Sequence, residues 1–128
     1  MERMKLKFDD AKNALATLKE VLNEPYSIIV RDATIQRFEY TFEAFWKFLK
    51  EYLKIKKGAI VNFPKDCFRE ILPLGICSED EVAMLLEMTD SRNETVHTYK
   101  QEVANKIYPK IKGYAELMDK VLNKIQIG

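Results

Sequence analysis

The chain has 128 residues, 47% of them apolar and 32% charged, with a formal net charge of +1 at neutral pH. A chain of that length buries roughly two thirds of its unfolded surface, which suits one ordinary domain over residues 1–128 and excludes a disordered polymer. No run of about 18 apolar residues occurs, so no membrane span is expected, and the near-zero charge supplies no overall field for nucleic acid: any such binding needs a local patch.

The opening MERMKLKFDDAK is charged throughout and has no apolar signal-peptide core, so a cytoplasmic location is expected. Four glycines and four prolines are few for a protein of strands and turns. Periodicity near 3.6 predicts helices instead. Leu6, Ala11, Leu15, Leu18 and Leu22 mark a first helix that ends near Asn23-Glu24-Pro25, where Pro25 disfavours helical geometry at Glu24. The second helix is the longest, residues 27 to 57. Ile35, Phe38, Phe42, Phe45, Leu49 and Tyr52 form one stripe along it, and Trp46 and Phe48 widen the stripe, which implies burial on more than one side. Lys56-Lys57-Gly58 is a helix C-terminal signature.

Pro64 opens a shorter helix carrying Cys67, Phe68, Ile71 and Leu72, which stops at Pro73 and Gly75. Ser78 with Glu81 makes a capping box for the next helix, with Cys77 and Val82 as a hydrophobic staple, and Val82, Leu85, Leu86 and Met88 face inward. The stretch Thr95-Val96-His97-Thr98 then places three β-branched residues in four positions, which weakens the helix. Thr98 with Gln101 reads as a second capping box, so a new helix is expected to begin at Thr98. Val103, Ile107, Ile111, Tyr114, Leu117, Val121 and Ile125 run along this last helix, which Pro109 and Gly113 can bend. The expected fold is all-α: an antiparallel, up-and-down four-helix bundle with one additional short helix.

His97, the only histidine, lies five residues after Arg92. On an unbroken helix five steps leave the two roughly 140° apart, on different faces. A break between them lets both turn toward one place. Imidazole exchanges a proton near neutral pH, and guanidinium offers a charged donor fork suited to phosphate, so together they can move a proton and stabilise a phosphoryl oxyanion without metal. The alternative is a surface arginine near a helix C-terminus and a histidine satisfying loop carbonyls. Lys47, Lys50, Lys54 and Lys57 stripe one face of the long helix, either to follow an RNA backbone or simply as its solvated face. Glu39 and Glu43 share a face beside Arg37 and can act as paired carboxylates, though with no third ligand an ion-paired face is the plainer reading. Phe38, Phe42, Phe45, Trp46 and Tyr52 stand at strict helical spacing, as core or dimer contacts rather than base-stacking surfaces. Cys67 and Cys77 with a lone histidine fit no zinc pattern, so buried free thiols, no metal and no other cofactor are expected.

The segment RNETVHTY resembles the R-x4-6-H motif of the HEPN superfamily, and more closely the R-x4-H-x-Y form of HepT-like proteins. The segment IQRFEYTFEAFWKFLK, residues 35 to 50, resembles the second helix of the nucleotidyltransferase substrate-binding proteins of that superfamily. The resemblance spans nearly the whole chain. It implies a helical bundle that forms a homodimer or a higher even oligomer and places two such motifs around a shared cleft. It also implies a partner, a minimal nucleotidyltransferase of the MNT type. Active HepT-like members are ribonucleases, toxins of toxin–antitoxin pairs, which makes this chain an expected metal-independent ribonuclease; the alternative is a non-catalytic subunit that binds nucleotide or substrate for the transferase. On this resemblance Arg92 and His97 match the catalytic pair. Asn93 matches the polar residue after the arginine, with Thr98 also in a supporting place, and Tyr99 matches the tyrosine that the partner modifies with AMP.

Overall fold

The computed structural model describes residues 1–125. Helix α1 spans Glu2–Leu22 and helix α2 spans Ile28–Lys57. Ser27 caps α2, its Oγ accepting the Val30 N–H at 3.0 Å. Gly58 closes the helix in the left-handed conformation at φ 65°, where its missing Cβ avoids strain, and its N–H returns to the Leu53 and Lys54 carbonyls. The two helices run antiparallel: Arg3 meets Glu51, Phe8 meets Phe48, Thr41 donates to the Ala14 carbonyl and Arg37 to that of Thr17.

Helix α3, Pro64–Glu70, starts on its proline and passes into a 3₁₀ turn at Leu72–Leu74 that Gly75 ends. Helix α4 spans Glu79–Glu94, a 3₁₀ turn occupies Thr95–His97, and helix α5 spans Gln101–Lys124. Helices α4 and α5 are antiparallel too, with Glu81 against Lys120, Glu87 against Lys110, Ser91 against Tyr114 and Glu94 against Lys106. Gly113 lets them approach closely: a Cβ there would stand 3.1 Å from Met84 Cε. The all-α bundle of four long helices and one short helix is therefore present.

Apolar faces from all five helices meet in one core. Phe38, Phe42, Phe45, Phe48 and Leu49 of α2 are buried, and Trp46 nearly so, which makes α2 the central helix. Phe68 of α3 packs its ring 6.1 Å from Phe42 and 6.0 Å from Phe45, and Tyr114 of α5 stacks on Phe38 at 5.7 Å. Cys67 and Cys77 are free and buried. Burial pushes the Cys67 thiol up to about 12, and burial with the nearby Glu81 charge pushes Cys77 up to about 11, so neither is a thiolate near neutral pH. A charged group is buried as well. Arg31, 2% exposed, donates to Asp32 and to Asn105 Oδ1 of α5 at 3.0 Å each.

Two expectations fail locally. Leu6 is 64% exposed, and Met4 fills the inward position instead. Met4 lies two helical turns before Ala11, whereas Leu6 is turned roughly 140° away from it. The second capping box does not form: Thr98 donates its hydroxyl to the Thr95 carbonyl, and its φ of −74° and ψ of −1° belong to the end of the 3₁₀ turn. An N-cap needs extended backbone. Lys100 supplies it at φ −85° and ψ 121°, so α5 begins at Gln101 and not at Thr98. Tyr52, Leu86 and Val103 are half-buried and pack against the edge of the core.

The first capping box is complete, with the Glu81 N–H donating to Ser78 Oγ and Glu81 Oε1 accepting from the Ser78 N–H. The Lys120 ammonium at 2.6 Å, with that Ser78 N–H, holds the Glu81 carboxyl down at about 2 from an ordinary 4.5. A depressed pKa means that the fold favours the charged form. Its contribution is complete above about pH 4.5 and is lost as the pH falls through 2. Glu81→Gln keeps an acceptor for Ser78 but no charge for Lys120. The parent's urea midpoint should exceed the variant's at pH 6, and the gap should narrow as the pH falls from 4.5 toward 2; a constant gap would mean that the Lys120 pair contributes nothing. Among the described residues no helix is long and apolar enough to cross a membrane.

Candidate functional site

Arg92 lies in the last turn of α4, where a cation complements the helix dipole. Its guanidinium crosses to α2. Nη1 lies 3.5 Å from Glu39 Oε2 and Nη2 lies 3.6 Å from Glu43 Oε1, and Nη1 also donates to Thr95 Oγ1 at 3.0 Å. Thr95 is buried at the start of the 3₁₀ turn. Its hydroxyl has two acceptors in reach, Glu39 Oε2 at 3.1 Å and the Arg92 carbonyl at 2.6 Å. One threonine thus ties the helix break, the arginine and the central helix together.

The two ion pairs are longer than the 2.7–2.9 Å of a charge-assisted hydrogen bond. The carboxylates therefore orient the guanidinium without saturating its donors. Arg92 Nε is buried and has no hydrogen-bond partner among the described residues. An unpaired buried donor costs about 1–3 kcal/mol, so the arrangement spends stability to hold this side chain in place. The charges are less generous. Two carboxylates outweigh one guanidinium, and only Lys47, 4.0 Å from Glu43 Oε2, returns the cluster to neutrality.

His97 ends the 3₁₀ turn and is exposed. Tyr99, 71% exposed, brings its hydroxyl to 3.4 Å from His97 Nδ1, with the rings edge to face at 6.0 Å. In the tautomer whose Nδ1–H donates to the Tyr99 oxygen, Nε2 is the free base. Arg92 and His97 share no hydrogen bond within the chain: the arginine is tethered inward to α2 and the imidazole stands outward. Asn93 is exposed, and Thr98 braces the turn. Glu39, Glu43 and Arg92 are one unit, which spacing alone did not reveal, and Thr95 carries its hydroxyl into that unit. Arg37 stands apart, fastening α2 to α1. Among the described residues no three His, Cys, Asp or Glu side chains converge as a metal would require.

Residues 6–127 match the family described as nucleotidyltransferase substrate binding protein like. No curated protein matches the chain by sequence. Among solved structures, a protein from Thermus thermophilus is 45% identical with a TM-score of 0.86, the likeness covering 91% of this chain and 99% of that one. A mutant of the toxin–antitoxin pair MntA-HpeT is similar at 13% identity and a TM-score of 0.79, over 97% of each chain. The tri-AMPylated Shewanella oneidensis HEPN toxin, in complex with MNT antitoxin, is similar at 14% identity and a TM-score of 0.75, over 94% of each chain. At that identity the last two likenesses speak to the fold alone. The chain belongs to the nucleotidyltransferase substrate binding protein like family, and it carries the fold of the HEPN toxins that its RNETVHTY segment resembles.

Proposed function

We propose that this protein is the HepT-like partner of a minimal, MNT-type nucleotidyltransferase, and a metal-independent endoribonuclease in which two copies join their Arg92 and His97 in one cleft. The observation that carries this reading is the helix break. It leaves a guanidinium tethered by long ion pairs on one side and an exposed imidazole beside Tyr99 on the other. The solved relatives named as toxins with antitoxins support the partner.

The chemistry needs RNA, whose 2′-OH lies beside each phosphate. His97 Nε2 of one copy takes the 2′ proton, the 2′ oxygen bonds to phosphorus, the bond to the 5′ oxygen breaks, and the imidazolium of the other copy returns a proton to the leaving oxygen. Arg92 neutralises charge on the phosphorane-like transition state. Division of acid and base between two copies is what a two-fold dimer provides. Tyr99 is the residue for the partner to modify: its exposed hydroxyl sits beside His97, and an attached AMP would add bulk and negative charge at the cleft.

The neutral rather than positive charge around Arg92 favours a second reading, a non-catalytic subunit that presents nucleotide or substrate to the transferase. A gel assay separates the two. Purified protein should cut RNA equally with and without EDTA, and addition of the nucleotidyltransferase with ATP should stop it. Intact RNA at every dose would leave the binding subunit, and cutting that EDTA abolishes would overturn the metal-independent mechanism.

A further inference from the structure

Of the exposed lysine stripe of α2, Lys57 pairs with Glu70 at 3.0 Å, whereas Lys47, Lys50 and Lys54 border a concave surface. Two overlapping hollows of about 260 Å³ each lie between the first turns of α1 and the C-terminal half of α2, one of them also walled by Ala59, Ile60 and Val61 after α2. Lys50, Arg3 and Glu51 line both; Lys54 lines one, and Lys7 and Lys47 the other. Five cations thus face one carboxylate, in a chain whose whole formal charge is +1. The cleft therefore carries a local excess of positive charge that the whole chain does not. Glu51 is occupied by Arg3 at 3.6 Å and Lys47 leans on Glu43, while Lys7, Lys50 and Lys54 have no carboxylate partner among the described residues.

The cleft adjoins the Arg92 site through one side chain. Glu43 meets Arg92 with one oxygen, and with the other it accepts from Trp46 Nε1 at 3.2 Å and approaches Lys47. From Lys47 the cations continue to Lys54 over about 10 Å of helix axis. A neutral cluster at Arg92 would hold a phosphate poorly alone, and the adjoining cations supply the attraction that it lacks. The floor does not invite base stacking: Trp46 is 9% exposed, and Lys50 covers its ring at 5.7 Å.

We infer that this cleft between α1 and α2 is a binding site for the phosphodiester backbone of single-stranded RNA, which it leads toward Arg92. The identity of the polymer rests on the ribonuclease reading, whereas the anion chemistry rests on the cleft. Contact is with phosphates, so the site has little base preference.

The test is fluorescence anisotropy with a labelled 2′-O-methyl RNA of about 12 nucleotides, within the usual single-strand site size, which no 2′-OH chemistry can cut. Lys7→Gln/Lys50→Gln/Lys54→Gln is compared with the parent and with Lys19→Gln/Lys110→Gln/Lys112→Gln, an equal charge change away from the cleft. Each phosphate contact to a single strand contributes about 0.7 to the slope of log K against log salt. The cleft variant should lose about 2 from that slope and bind more than about tenfold more weakly at about 0.1 M salt, and the control should lose far less. Equal losses in both variants would overturn the site. So would a cleft variant that keeps its RNA affinity but no longer holds the nucleotidyltransferase, which would assign the surface to a protein. Cleft-dependent binding by a parent that leaves ordinary RNA intact would keep the site and end the ribonuclease reading. Cutting of RNA together with cleft-independent binding would end the site alone.

Discussion

Alanine at position 97 is expected to slow RNA cleavage at least ~100-fold while leaving the fold as stable as the parent's, the loss typical of a missing general acid or base. The stability half of this expectation comes from the site's geometry. His97 is exposed and its side chain's one hydrogen-bond partner among the described residues is Tyr99 at a long 3.4 Å, so truncation strands no buried group. Surface changes of this kind stay within about 0.5 kcal/mol. Arg92 is a poorer probe. Its removal would leave Glu39 and Glu43 facing each other and Thr95 without its donor, and a folding defect would be mixed with a catalytic one. The measurement is a cleavage time course beside a thermal melt on the same preparation. Cutting at the parental rate by a normally folded variant would remove His97 from the chemistry, and with it the two-copy mechanism.

Phe68→Ala should cost about 3–5 kcal/mol, a large share of the 5–15 kcal/mol that holds a typical domain together. Helix α3 has only seven residues, fewer than two full turns, and a helix so short does not persist alone in water. It is held by what it buries. The Phe68 ring, fully buried, is the piece of α3 that reaches the Phe42 and Phe45 rings of the central helix. Beside it, the smaller Cys67 is also buried, with a weak contact from Sγ to the Trp46 carbonyl at 3.9 Å. Urea unfolding gives the loss directly, and hydrogen exchange should show the α3 amides losing protection ahead of those in α1 and α2. A change below about 1 kcal/mol would mean that α3 docks by other means.

Local signals wrote most of this fold into the chain. The apolar stripe of α2, Gly58 as its terminator, Pro64 as an opener and the Ser78–Glu81 box depend on neighbours within a few residues, and each appears where its spacing implies. Errors arose where two local rules competed. Leu6 and Met4 are both apolar, and helical spacing separates them: Met4 lies two turns before Ala11, while Leu6 lies roughly 140° from it. Thr98 and Gln101 have the spacing of a capping box, but the Thr95 carbonyl claims the Thr98 hydroxyl first.

The candidate site was half legible. The β-branched cluster gave the break, and the resemblance singled out Arg92, His97 and Tyr99. What restrains Arg92 was not readable, because Glu39 lies 56 positions from Thr95 and meets it only once α2 and the end of α4 are packed. Likewise Arg3 and Lys7 turn a lysine stripe into a cleft only because α1 folds back along α2. Contacts between distant segments leave no periodic trace.

Arg31 has a bearing on why there is a single arrangement at all. Its buried guanidinium, at the start of α2, finds its only acceptor outside that helix, among the described residues, at Asn105. Were α5 to slip by one turn, about 5.4 Å, that acceptor would leave, and Nη1 would lose its partner in a buried place while Asp32 alone offset the charge. Greasy side chains tolerate such slippage, because one aliphatic neighbour substitutes for another. An enclosed ion does not, so mispacked versions of the bundle carry a penalty that the correctly aligned one escapes.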